Sequence, residues 1–152
     1  MNVFKEMFDS KEITPFESYK NYFFALIEKY EMERDKVYTL DEETHIWTFA
    51  VDEERVVIFS LEEKDATLYA RIPYLNIPEK NLLAFYRFCL NANMFLVDLH
   101  LALYRDEVLL TDRISIYKPI PPNDTFFDDY YETIRSTLKY LDEKIREEGF
   151  FE

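Results

Sequence analysis

The chain holds a single glycine, Gly149, in 152 residues, where average usage of about 7% would give roughly ten. Glycine is the residue that enters left-handed backbone without steric cost and lets a ligand approach the main chain closely. A phosphate-cradling loop or a dinucleotide fingerprint needs several of them, so neither is open to this sequence. Turns fall to Asp, Asn and Pro instead. Acidic clusters do stand between apolar runs: Asp41-Glu42-Glu43, Asp52-Glu53-Glu54 and Glu62-Glu63-Lys64-Asp65. Such residues are poor strand formers and read as solvated turns. They lack the alternating oxygen ligands and turn glycine of a calcium loop.

With those breaks in place the elements can be counted. "TPFE" reads as a helix start, with Thr14 as cap, Pro15 in the first turn and Glu17 completing a capping box. Phe16, Tyr19, Phe23, Leu26 or Ile27 and Tyr30 then recur at helical spacing, widened by Tyr22 and Phe24, and predict a helix ending near Arg34–Lys36. "THIWTFAV", "RVVIFSL" and "ATLYARI" are short runs rich in β-branched and aromatic residues, hence strands. "NIPEKNLLAFYRFCLNAN" predicts a second helix with Pro78 in its first turn. Leu82, Leu83, Tyr86, Cys89 and Leu90 share one face of it, with Phe85 and Phe88 around the other side. A helix apolar nearly all round implies two buried faces.

A hairpin follows. A turn at Arg105-Asp106 pairs Tyr104 with Glu107 and Leu103 with Val108. Val97, Leu99, Leu101 and Leu103 then share a face with Val108, Leu110 and Ile114, while Asp98 falls opposite Arg113. Asp112 is the misfit, a carboxylate among the apolar set. "KPIPPND" is a stiff loop that ends the sheet. A long helix from Asp124 or Thr125 carries Phe127, Tyr131, Ile134, Leu138, Leu141 and Ile145 at coiled-coil-like spacing, which also fits docking on a sheet. The expected fold is α+β: one domain over 14–148 with the order α-β-β-β-α-β-β-α, an antiparallel sheet packed by helices. A lead-in covers 1–13 and a tail 149–152.

Composition bounds function. A chain of this length with 48% hydrophobic residues can bury a core without staples. The net charge of −13 repels nucleic acid, whose binding requires neutralised phosphates, and attracts a basic or partly unfolded protein. No apolar run approaches the roughly 20 residues of a membrane helix. One cysteine, and no signal pattern in "MNVFKEMFDSKEITP", point to a reducing cytoplasm.

Reactive chemistry finds little support. Of the two histidines, His45 starts a strand and His100 sits on a polar strand face near Asp98 and Arg113. The i and i+2 side chains of a strand stand about 7 Å apart, too far for a direct bond, and no spaced ligand set for a metal is present. Cys89 lies on an apolar helix face without a neighbouring base and reads as a packing residue. The expectation is a protein that is not an enzyme and takes no cofactor or metal.

The order of elements, with Leu90-Asn91-Ala92-Asn93 closing a helix ahead of Phe95–Tyr104, Glu107–Tyr117 and Thr125–Glu148, resembles the bacterial type III secretion chaperone-like superfamily. That group includes the Tir-chaperone (CesT) family and YbjN-like proteins. The resemblance implies a cytoplasmic homodimer built through the second helix, with Phe85, Tyr86, Phe88 and Cys89 at the interface. It also implies a client polypeptide held along the first helix and the three-stranded part, at Phe16, Tyr19, Phe23, Trp47 and Phe49. The alternative within the same fold is a YbjN-like regulatory adaptor for a signalling or stress-response partner.

Overall fold

The computed structural model describes residues 13–31, 37–41 and 45–152. In chain order they form α1 (Pro15–Glu31), β1 (Val37–Asp41), β2 (Ile46–Ala50), β3 (Val56–Glu62), β4 (Thr67–Asn76), α2 (Leu82–Asn93), β5 (His100–Tyr104), β6 (Glu107–Ser115) and α3 (Phe126–Glu148). The strands make one six-stranded antiparallel sheet in the order β1-β2-β3-β4-β6-β5. The α+β class and element order follow the sequence reading, with β1 as an added strand that pairs with β2 (Val37↔Phe49 to Asp41↔Ile46). No described helix is long and apolar enough to cross a membrane.

Packing groups the residues into two compact units. The first takes the chain through Phe49, Ile58–Tyr69 and Arg113–Asp124; the second takes Ala50–Val57, Ala70–Asp112 and Thr125–Glu152.

In the first unit α1 begins as expected: the Glu17 N–H donates to Thr14 Oγ1 at 3.1 Å, satisfying a donor that the helix end leaves free. The helix is described as far as Glu31, so its expected end near Arg34–Lys36 lies outside the described residues. Its inner face carries Phe23, which stacks on Trp47 at 4.9 Å and meets Phe59 at 5.0 Å. Phe49 and Phe59 are edge to face at 6.0 Å. Offset and edge-on contacts of this kind add stability beyond the area buried. The proline loop is tied to the same helix. Ser18 Oγ accepts from the Ile120 N–H at 3.0 Å, and the Tyr22 hydroxyl donates to the Asp124 carbonyl at 2.9 Å.

In the second unit, β5 and β6 pair as the turn at Arg105-Asp106 predicts, from Tyr104↔Glu107 to His100↔Thr111. The pairing stops there. Asp98 lies outside β5 with φ 68°, so it does not stand in register opposite Arg113. Asp112, the expected misfit, accepts a hydrogen bond from the Tyr130 hydroxyl at 2.8 Å. α3 follows Thr125, whose hydroxyl donates to the Asp129 carboxylate at 3.0 Å, and ends at Gly149, whose φ of 69° is the left-handed turn that closes a helix. Phe127, Tyr130, Ile134, Thr137, Leu138 and Leu141 are its buried residues; Tyr131 and Ile145 are half-buried.

α2 starts four residues later than its sequence suggests. Pro78 lies before the helix in the connection after β4, which runs on to Asn76, and Asn81 precedes the first turn with φ 58° and no side-chain cap. At the other end, Asn93 turns its carboxamide on β5. Its Nδ2 donates to the Leu101 carbonyl at 3.0 Å and its Oδ1 accepts from the Leu101 N–H at 2.7 Å. The Leu90–Asn93 step is thereby a structural joint.

Candidate interaction surface

α2 is a helix with two apolar faces, and the structure assigns them. Phe85, Cys89 and Ala92 are buried. Phe85 meets Phe150 edge-on at 5.2 Å and Phe88 meets it at 5.5 Å, so the residue after Gly149 closes this part of the core. On the far side stand Leu83, Leu90 and Met94, 64%, 69% and 78% exposed. At 100° per residue their positions fall within about 40° of one another. They form one straight apolar row pointing outward.

The row continues past the helix end. Phe95 and Val97 are both more than 70% exposed. They border an open hollow of about 620 Å³ that Thr133, Thr137 and Tyr140 of α3 complete. A smaller hollow of about 360 Å³ lies between α2 and α3, lined by Arg87, Phe88, Asn91, Lys144 and Phe150, and shares Phe95 and Tyr140 with the first. Exposed apolar side chains grouped in this way make this side of α2 a candidate contact surface.

The residues that the sequence singles out for partners are placed as follows. Phe85 and Cys89 are buried within the chain, and Tyr86 and Phe88 are half-buried. Phe23, Trp47 and Phe49 lie in the aromatic core of the first unit; Phe16 is buried at its margin, edge-on to His45 at 5.2 Å. Tyr19 is half-buried. Burial, with Asp124 and Tyr117 nearby, raises its phenol pKa. The structure thus brings Phe23, Trp47 and Phe49 together around one core. Leu83 and Leu90, expected to share a face with Cys89, are exposed while Cys89 is buried. Met94, Phe95 and Val97 were missed as surface residues; their signal was an apolar run directly after the helix-stopping Asn-Ala-Asn step.

Away from the apolar row, the chemistry is that of structural polar networks. Arg55 forks onto Asp142 with two bonds of 3.1 Å and reaches Asp52 at 2.7 Å. Asp142 also accepts from the Tyr74 hydroxyl at 2.7 Å. Burial and then that carboxylate push the Tyr74 phenol well above its usual range. Burial works against ionisation of Asp52, but hydrogen bonds from the Glu54 and Arg55 N–H groups and the Arg55 side chain outweigh it and lower its pKa. The Cys89 thiol is pushed up to about 11 by burial, which suppresses the thiolate that a nucleophile needs. His100 is exposed at the first position of β5.

Comparison with solved structures places this architecture. A chain of the ExsC–ExsE complex superimposes with a TM-score of 0.53 at 16% identity, covering 81% of this chain and 89% of its own. A chain of the HopA1–SchA chaperone–effector complex gives 0.52 at 12% identity, with 82% and 93% covered. The fold is type III secretion chaperone-like. A structure of the Yersinia pestis type III secretion chaperone SycH with a fragment of YscM2 gives a TM-score of 0.46 at 20% identity, covering 81% and 95%. No family model and no curated protein matches the sequence. With identities this low, the chaperone-like fold is shared while the exposed row on α2 is read from this chain's own residues.

Proposed function

We propose that the protein is a non-enzymatic, chaperone-like module of the cytoplasm that holds a segment of a partner polypeptide and works as a homodimer. The observation that carries this reading is the outward row Leu83–Leu90–Met94 with Phe95 and Val97. It is an apolar surface larger than the chain's own core needs, on a fold shared with a chain of a chaperone–effector complex. In the proposed dimer the α2 row meets its own copy, since a two-fold axis lets one patch serve both sides. The partner segment lies along α1, where Tyr19 and Phe24 are half-exposed and Tyr117 is exposed. The charge of −13 favours a basic or unfolded segment over nucleic acid.

Two measurements test this reading. Sedimentation should give a dimer mass for the wild-type protein. Native affinity purification, followed by reconstitution with each recovered polypeptide and calorimetry, should yield one that binds in a defined ratio. A monomer at all concentrations, or no polypeptide that binds on reconstitution, overturns it.

A further inference from the structure

β5 is the last strand of the sheet, and a last strand presents main-chain groups on which another chain can build. Its register with β6 is fixed from His100↔Thr111 to Tyr104↔Glu107. In an antiparallel pair, successive residues turn their N–H and C=O groups alternately inward to the partner strand and outward. Both groups of Leu101 are bonded to Asn93, so Leu101 belongs to the outward set, and by alternation so does Leu103. The outer edge of this short strand therefore offers main-chain groups at Leu101 and Leu103. Exposed apolar side chains stand beside them: Leu103 is 45% and Tyr104 58% exposed. A bare edge flanked by apolar side chains is a template for strand addition.

We propose that Asn93 is an edge stop that keeps β5 from pairing with the strand of another chain. A carboxamide carries one acceptor and a donor group side by side, as an incoming peptide strand would. Only the orientation with Oδ1 towards the Leu101 N–H and Nδ2 towards its carbonyl satisfies both groups. The side chain reaches the edge because α2 ends there, so the helix that bears the apolar row also carries the stop. Half of the outward main-chain groups are occupied from within the chain, and the end of α2 stands where a neighbouring strand would run. Association at this end of the sheet is thereby left to side chains. The inference does not depend on the proposed function.

Sedimentation over a concentration series tests it, with circular dichroism to confirm folding. N93A opens the edge, and its weight-average mass should climb with concentration towards about twice that of the wild type, as two edges pair about a two-fold axis. The double variant N93A/L103P should return to the wild-type mass, because proline removes an outward N–H that takes no part in the ladder and is tolerated on an edge. If N93A does not fold, N93D is read in the same way, since it keeps the acceptor and loses the donor. A mass equal to that of the wild type throughout overturns the proposal. So does a rise in mass that survives L103P.

Discussion

The Asp112 carboxylate on β6 accepts a 2.8 Å hydrogen bond from the hydroxyl of Tyr130 on α3. Sequence pattern alone marks Asp112 as an error in an apolar face; the phenol about one turn into the last helix makes it a fixed contact between strand and helix. Tyr130→Phe removes that donor while keeping the ring, and should lower stability by about 1–2 kcal/mol. Tyr130→Phe combined with Asp112→Leu should recover part of the loss, since removing both partners costs less than removing one. Urea unfolding midpoints of the three variants against the wild type check this.

The same phenol sets an alkaline limit. Burial first, and then Asp112, hold the Tyr130 pKa well above its usual range, and burial with Asp142 does the same for Tyr74. Near pH 10 the unfolded chain loses these phenolic protons while the folded chain keeps them. The native state then binds more protons, so stability falls as pH rises. It should be level below about pH 9 and decline above about pH 10 by up to 1.4 kcal/mol per pH unit for each phenol. Denaturation midpoints from pH 8 to 11.5 should show the decline, with a shallower slope in Tyr74→Phe.

Cys89 should behave as a packing residue. With its thiol at about 11 through burial, only about a thousandth is thiolate at pH 8. Labelling by a thiol reagent should be slow in the native protein and immediate in denaturant. Rapid labelling under native conditions would show that α2 opens locally.

The α2 row gives the sharpest test of self-association. Leu83→Glu with Leu90→Glu should shift the protein to monomer in sedimentation. Thermal stability of the monomer should change by no more than about 0.5 kcal/mol, because neither side chain is used in the core. Phe85→Ala should instead cost about 3–5 kcal/mol, as expected for a buried aromatic. If the two effects were exchanged, the faces would be assigned the wrong way round.

Legibility in the sequence followed the strength of local signals. The apolar stripe after the proline loop placed the start of α3 within two residues of Phe126, and the Arg105-Asp106 turn fixed the β5–β6 register. The element order was legible for the same reason. The faces of α2 were not: when Leu, Phe, Tyr and Cys surround a helix, apolar periodicity has no phase, and burial is decided by what packs against it. Hence Phe85 and Cys89 went to the core and Leu83 and Leu90 outward. Pro78 looked like a first-turn residue, but proline also suits a connection, and the left-handed Asn81 set the start instead. β1 runs into the acidic cluster Asp41-Glu42-Glu43, which reads as a solvated turn, so its strand signal is confined to Val37–Leu40. Asp98 paired with Arg113 only if the strand continued, and a single left-handed residue ended it.

The scarcity of glycine has a consequence in the denatured chain. Among the described residues, His45, Ala66, Asn81, Asp98 and Arg105 hold positive φ with a Cβ attached, at a cost on the order of 1–2 kcal/mol each, less for Asn and Asp. Glycine at those turns would relieve the native strain but would also widen the range of shapes open to the unfolded polypeptide. By doing without it, the chain accepts tension in its turns and begins folding from a stiffer ensemble, with less disorder to lose. Part of its stability is therefore set by bonds that cannot rotate freely before any contact is made.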